Sequence, residues 1–146
     1  MLNRMENELY KKVVDYMLEN DAFSQWLGLE LKELKKGYVK LSAVIKPQMM
    51  NGIGSVHGGI TFAMADSAFA FACNMDNRKS VALDLSISFT HPGKVGDIFT
   101  IVCEEINSTR KTGLYEVKIW NQNEKMMALF KATAYRLDMP VIPETN

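Results

Sequence analysis

Charge of one sign, cysteine and histidine are what this sequence has least of. Lysine plus arginine number 17 and aspartate plus glutamate number 17, so the formal net charge is zero. A balanced chain without a basic run lacks the field that draws nucleic acid or an anionic membrane surface. The two cysteines, Cys73 and Cys103, stand in apolar patterns with neither CxxC spacing nor a zinc-like cluster around them. That absence excludes a metal knuckle and points to a reduced, cytoplasmic protein. The longest apolar stretch contains Asp66 and is too short to span a bilayer. The opening residues, Met1 to Glu8, are too polar and acidic for a signal peptide. No motif supports a metal or a nicotinamide, flavin or pyridoxal cofactor. With no repeat, linker or low-complexity tract, residues 1–146 read as one domain, with an N-terminal helix within 1–22 and a tail over 138–146.

What is present is periodic. Leu2, Met5, Leu9, Val13 and Tyr16 recur at three- and four-residue steps, which predicts an amphipathic helix over 2–18. Asp21 to Gly28 reads as a capped turn. The period then falls to two: a weak strand over 29–35, then Val39, Leu41, Ala43 and Ile45 alternating with polar neighbours. Val81, Leu83, Leu85, Ile87 and Phe89 alternate in the same way, predicting a strand with one apolar face. His91 to Asp97 is a turn-rich connection, and strands follow over 98–106, 113–120 and 126–136, with a hairpin tip at Asn121–Glu124. Helix, two strands, long helix and four strands make an α+β plan in which one sheet covers one apolar helix.

That helix, over 58–73, carries the chemistry. It is apolar nearly all round, so it must be buried. Its alanines (Ala63, Ala65, Ala68, Ala70, Ala72) permit close approach of a sheet or a partner helix. Asp66 lies two turns past Gly58-Gly59, too deep to cap the helix. A carboxylate there is costly unless it is paired, hydrogen-bonded to Ser67 or Thr61, or kept for chemistry. Two glycines at a helix start let a ligand approach the backbone, and the free N–H groups favour developing negative charge. A thioester carbonyl turning into an oxyanion fits such a terminus.

Asn51 through His57-Gly58-Gly59, then Phe62, Met64 to Ala70 and Ala72-Cys73-Asn74, resemble the hotdog-fold thioesterases, specifically the phenylacetate-degradation type of acyl-CoA thioesterase. Thr112 to Asn121 and Met127 to Lys131 extend the likeness over roughly residues 23–137. The resemblance implies an antiparallel sheet wrapped around a long helix, and a homodimer or homotetramer with active sites at the dimer interface. It implies an acyl-CoA substrate, Asp66 as general base or nucleophile, the Gly58 N–H on the thioester carbonyl, and Asn51 helping to place water or carbonyl. The auxiliary serine that some relatives carry after the helix aligns with Ala82, which leaves that role missing or moved to Ser86.

Other residues divide between function and structure. His57 is grouped with the catalytic residues, in the role of holding the Gly58 loop by a ring hydrogen bond. Gly59, Phe62 and Ser67 are substrate-binding candidates. Met64, Phe69 and Phe71 either line an acyl pocket or belong to the core. No G-x-S-x-G elbow surrounds Thr61 or Ser67. Cys73 reads as buried and inert. Arg110 and Lys111 are the first choice for the coenzyme A phosphates, ahead of Arg78-Lys79, His91 and Lys94. The competing readings are an acyl-CoA hydratase or dehydratase on the same fold, and a hotdog module that binds acyl-CoA as a sensor without catalysis.

Overall fold

Residues 2–145 are described by a computed structural model; Met1 and Asn146, the ends of the two terminal spans, lie outside it. The elements run α1 (Leu2–Glu19), α2 (Ala22–Trp26), β1 (Glu30–Lys35), β2 (Tyr38–Val44), a 3-10 turn (Pro47–Met49), α3 (Gly58–Asn74), β3 (Arg78–Phe89), β4 (Ile98–Ser108), β5 (Thr112–Trp120) and β6 (Met126–Pro140). The capped turn is α2, with Asp21 as its N-cap and Gly28 at φ +73° after its end. The expected tail begins three residues late, because Asp138–Pro140 continue β6. Beyond it, the Val141 and Ile142 amides donate to the Asn77 carbonyl and side chain at 3.2 and 2.9 Å.

All six strands are antiparallel neighbours in one sheet, in the order β1-β2-β4-β5-β6-β3. Period-two alternation sends Val39, Leu41 and Ala43, then Phe99, Ile101 and Cys103, then Tyr115, Val117 and Ile119 to one face. Met64, Phe69 and Phe71 of α3 complete that core, so these three are packing residues within the chain. Close approach governs one connection: a Cβ at Gly93 would stand 2.7 Å from Val56 Cγ2 and 2.9 Å from Phe99 Cζ.

Two apolar patterns fold differently from expectation. On α1 only Val13 of the five residues in the expected stripe is buried. Tyr10 and Val14 join it, while Leu2, Met5 and Leu9 stay exposed. The helix docks through its C-terminal half, and packing there overrides the stripe read from spacing. β3 is an edge strand whose Leu85 and Ile87 pack partly against the core, while Leu83 is 64% exposed and Phe89 55%. Val81 is likewise exposed, and the register slips between Ala82 and Asp84.

Gly93→Ala is expected to lower the unfolding free energy by about 1–3 kcal/mol, the usual cost of overpacking. A urea titration checks this through a lower midpoint at unchanged slope.

Candidate active site

α3 begins at a loop that the sequence ties down atom by atom. Asn51 Oδ1 accepts from the backbone N–H groups of Ile53 and Ser55, both at 3.0 Å, and this folds residues 51–55 into a tight turn. The His57 amide donates to the Met49 carbonyl at 2.9 Å. His57 is the N-cap of α3, and its Nδ1 accepts from the Gly59 N–H at 2.9 Å. That bond places the ring proton on Nε2. The Ile60 and Thr61 amides reach back to the His57 carbonyl. Gly59 therefore has no free amide to offer a ligand. Among the described residues, the Gly58 N–H is the first-turn donor left without an acceptor.

Beside Gly58 lies an open hollow of about 390 Å³, lined by Val56, Thr61, Phe89 and the Thr90–Gly93 turn. Phe89 forms a wall close enough that a Cβ on Gly58 would meet its ring at 3.1 Å. In the sequence Phe89 reads only as part of the alternating face of a strand, and Thr90 carries no site motif. The link is a register fact, the end of β3 lying over the start of α3, and no local motif announces it.

Asp66 does not line this hollow. Eight residues of α3 separate it from Gly58, about 12 Å along the axis. Its side chain is half-buried, on a stripe of α3 that the chain's own sheet leaves partly uncovered: Gly59, Ala63, Asp66 and Ala70. Among the described residues its carboxylate receives no hydrogen bond. Thr61 is buried without bonding it, and Ser67 turns the other way, its hydroxyl 2.8 Å from Ser24 Oγ. Ser24 Oγ donates to Asp21 Oδ2 at 2.5 Å, so Ser67 must supply the proton between the two serines. This bridge pins α2 against α3 next to Asp66. Asp21 and Ser24, read from sequence only as a turn cap, thus reach the candidate site. Burial first, and the charge of Asp21 second, push the Asp66 carboxyl above the ordinary carboxylate range.

The remaining candidates lie elsewhere. Phe62 is half-buried, edge-to-face with Phe130 at 5.3 Å between ring centres. Cys73 is buried, and burial pushes its thiol up to about 12, so it stays protonated and unreactive. Ala82 and Ser86 are exposed on β3. Within one chain, Arg110 and Lys111 do not approach Gly58. They form the β4–β5 turn at the far end of the sheet, a β4 length of about 35 Å away. The Arg110 carbonyl accepts from Arg78 Nη1 there, and Lys111 pairs with Asp138 at 3.4 Å. Lys79 and Lys94 are exposed, and His91 Nε2 lies 3.5 Å from Lys125 Nζ. Among the described residues no helix is long and apolar enough to cross a membrane.

A sheet wrapped on one helix, with a free amide at the helix start and an acid two turns on, defines a class before any comparison. A thioesterase superfamily profile matches residues 53–128. The acyl-coenzyme A thioesterase PaaI of Escherichia coli strain K12 is 37% identical over 121 residues, covering 83% of this chain and 86% of that protein. The structure of E. coli PaaI, from the phenylacetic acid degradation operon, superposes with a TM-score of 0.89 over 92% of this chain and 97% of the other, at 34% identity. A mutant of the phenylacetic acid degradation protein PaaI from Thermus thermophilus gives 0.77 at 32% identity, over 80% of this chain and 100% of that one. The chain belongs to the thioesterase superfamily, a family of thioester hydrolases, and has its α+β hotdog fold.

The raised proton affinity of Asp66 sets a stability test. Between the ordinary carboxylate range and the raised folded value, the folded chain holds a proton that the unfolded chain releases. Stability from this group is therefore full at low pH and lost as pH rises through the folded value. Asp66→Asn removes the term, so the variant is expected to melt above the wild type at neutral pH, with the gap closing below about pH 4. A carboxylate needed to hold the fold together would give the opposite order.

Proposed function

We propose that this protein is an acyl-CoA thioesterase that hydrolyses aromatic or short- to medium-chain acyl-CoA, with Asp66 activating the attack and the Gly58 N–H receiving the oxyanion. The reading rests on one observation: α3 carries a single free first-turn amide and, two turns later, a carboxylate without a partner. Its chemistry balances simply. Water adds to the thioester carbonyl as Asp66 takes its proton, and the carbonyl oxygen becomes an oxyanion at Gly58, where the helix dipole stabilises it. Collapse expels the coenzyme A thiolate, which recovers a proton, leaving the free acid. In the nucleophilic variant, Asp66 attacks first and expels the coenzyme A thiolate, which takes up a proton, and water then opens the resulting anhydride to the free acid and the Asp66 carboxylate. The raised affinity of Asp66 keeps it a stronger base than an ordinary exposed aspartate.

One chain does not bring the two groups together, so the proposed site is composite. Two copies of α3 running antiparallel across a two-fold axis set Gly58 of one copy facing Asp66 of the other. The uncovered stripe of Gly59, Ala63 and Ala70 leaves room for that approach, and the exposed apolar edge of β3 supplies a surface for the same pairing. A homodimer, or a homotetramer made of two such dimers, carries two sites per pair.

Asp66→Asn is expected to fold and to lose on the order of 10²–10⁴ in turnover, the range for a positioned acid or base. A thiol reagent following coenzyme A release from a panel of acyl-CoA substrates measures it. Tight binding with no turnover across the panel in the wild type would favour the sensor reading. Sharing of the site is checked by mixing subunits of Asp66→Asn with Asn51→Ala, which unties the loop leading to Gly58. With random exchange, half the dimers are mixed and each regains one intact site, so about a quarter of all sites recover. No recovery despite proven exchange between two inactive variants would mean that Asn51 and Asp66 serve the same site from one chain, or that Asn51 acts structurally.

A further inference from the structure

The inward face of the sheet changes character at the end opposite Gly58. Along β6 the buried positions run Phe130, Ala132, Ala134 and then Arg136, which is only 4% exposed. On β4 the inward positions run Phe99, Ile101 and Cys103, all buried, and then the half-buried Glu105; on β5 the buried positions run Ile119, Val117, Tyr115 and then Gly113. An arginine in a core register position is rare unless paired. Here it closes a polar layer around a cavity of about 100 Å³ between the C-terminal end of α3 and Tyr10 of α1. Two glycines keep the layer open. A Cβ at Gly113 would lie 2.7 Å from the Tyr115 ring and 3.0 Å from Arg136 Nη2, and one at Gly37 would lie 2.9 Å from Glu105 Cβ.

The donors and acceptors of this layer do not balance. Arg136 Nε donates to the Thr109 carbonyl and Nη2 to Ser108 Oγ, while Nη1 has no acceptor among the described residues. Arg78 gives Nη1 to the Arg110 carbonyl, but its Nε is buried with no partner among the described residues. Glu105 already accepts from the Tyr115 hydroxyl at 2.8 Å and stands 3.8 Å from Arg136 Nη2. Asp76, at the rim, accepts the Arg78 backbone N–H. With Lys36 also at the rim, three cations face two carboxylates. The lining side chains carry a surplus of one positive charge, set against the negative end of the α3 dipole, and two N–H groups have no acceptor among the described residues. At about 30 Å³ per water, the space takes roughly three waters or one ion of acetate or phosphate size.

We propose that this layer is a second binding site, separate from Gly58 and Asp66, for a small singly charged oxyanion held between Arg136 and Arg78. The site is separate from the proposed catalytic pair, because neither Gly58 nor Asp66 lines it; of the side chains weighed for the coenzyme A phosphates it shares Arg78. Tyr10 links it to α1, so occupancy also holds the N-terminal helix against the core.

The test titrates the full-length protein with sodium acetate and, separately, inorganic phosphate, against sodium chloride at matched ionic strength. Thermal unfolding is the readout. A saturable rise in Tm beyond the chloride control is expected for at least one of the two, and whichever acts identifies the ligand as a carboxylate or a phosphate. Arg78→Gln and Lys36→Gln, both at the open side of the cavity, are expected to weaken the apparent affinity by about tenfold or more, the scale of one charge-assisted hydrogen bond. Asp66→Asn should leave the response unchanged. No rise beyond chloride in either arm would mean that the cavity holds water only and would overturn the proposal. So would a response that survives both cation variants or disappears in Asp66→Asn, since the ion would then bind elsewhere.

Discussion

Everything in this molecule is arranged around the burial of one helix. α3 has no polar face to turn to solvent, so some surface must cover it on every side. A single six-stranded sheet twists far enough to cover Met64, Ala68, Phe71 and Ala72, but not Gly59, Ala63, Asp66 and Ala70. That uncovered stripe is made of small residues plus the one acid. Larger residues there would have kept a second helix away. In the proposed dimer, the stripe that the sheet cannot close is the one along which Asp66 meets a substrate held by the other copy.

The two ends of α3 are treated differently, and the helix itself explains why. At its start the backbone presents unpaired N–H groups and the positive end of the dipole. His57 takes the Gly59 amide and leaves that of Gly58, so capping narrows the terminus to one donor instead of abolishing it. At its end, unpaired carbonyls leave a region of negative potential. Arg136 sits there with its guanidinium buried, among the Tyr115–Glu105 pair and the carbonyl of Thr109. Asn74 closes the C-terminus by donating to the Ala70 and Ser80 carbonyls while accepting the Ser80 N–H at 2.8 Å. Polar chemistry is kept to the helix ends, to Asp66 and to the Ser67–Ser24–Asp21 bridge beside it, with an apolar core between.

The sequence made the architecture legible because both periods were clean. Alternation and strand-forming composition located all six strands to within a few residues, and the unbroken apolar run at 58–73 located α3. What it misplaced shares a cause: spacing reports that a face is apolar, not what covers it. Leu2, Met5 and Leu9, and again Val81, Leu83 and Phe89, look like core positions yet have no cover within the chain. The residues missed were those joined to α3 across long separations. Ser24 meets Ser67 over 43 positions, and Phe89 reaches Gly58 only through sheet register. Within one chain Arg110 and Lys111 lie at the sheet end opposite Gly58, and a hairpin turn can lie at either end of a sheet, which composition does not report.

The proposed pairing has an electrostatic consequence that links the stripe to the chemistry. Burial already raises the proton affinity of Asp66 in one chain, and the negative charge of Asp21 raises it further. Covering the stripe with a second α3 removes more water from the carboxylate and would, acting alone, push it toward a neutral and catalytically idle acid. The antiparallel arrangement brings the opposing term with it. The N-terminus of the second helix, with its free Gly58 N–H and positive dipole end, faces Asp66 across the interface and favours the ionised form. Desolvation and dipole thus act on the same group from the same contact. A parallel arrangement of the helices would keep the desolvation and lose the compensation. An antiparallel dimer is for this reason the arrangement in which Asp66 can be both shielded from water and charged.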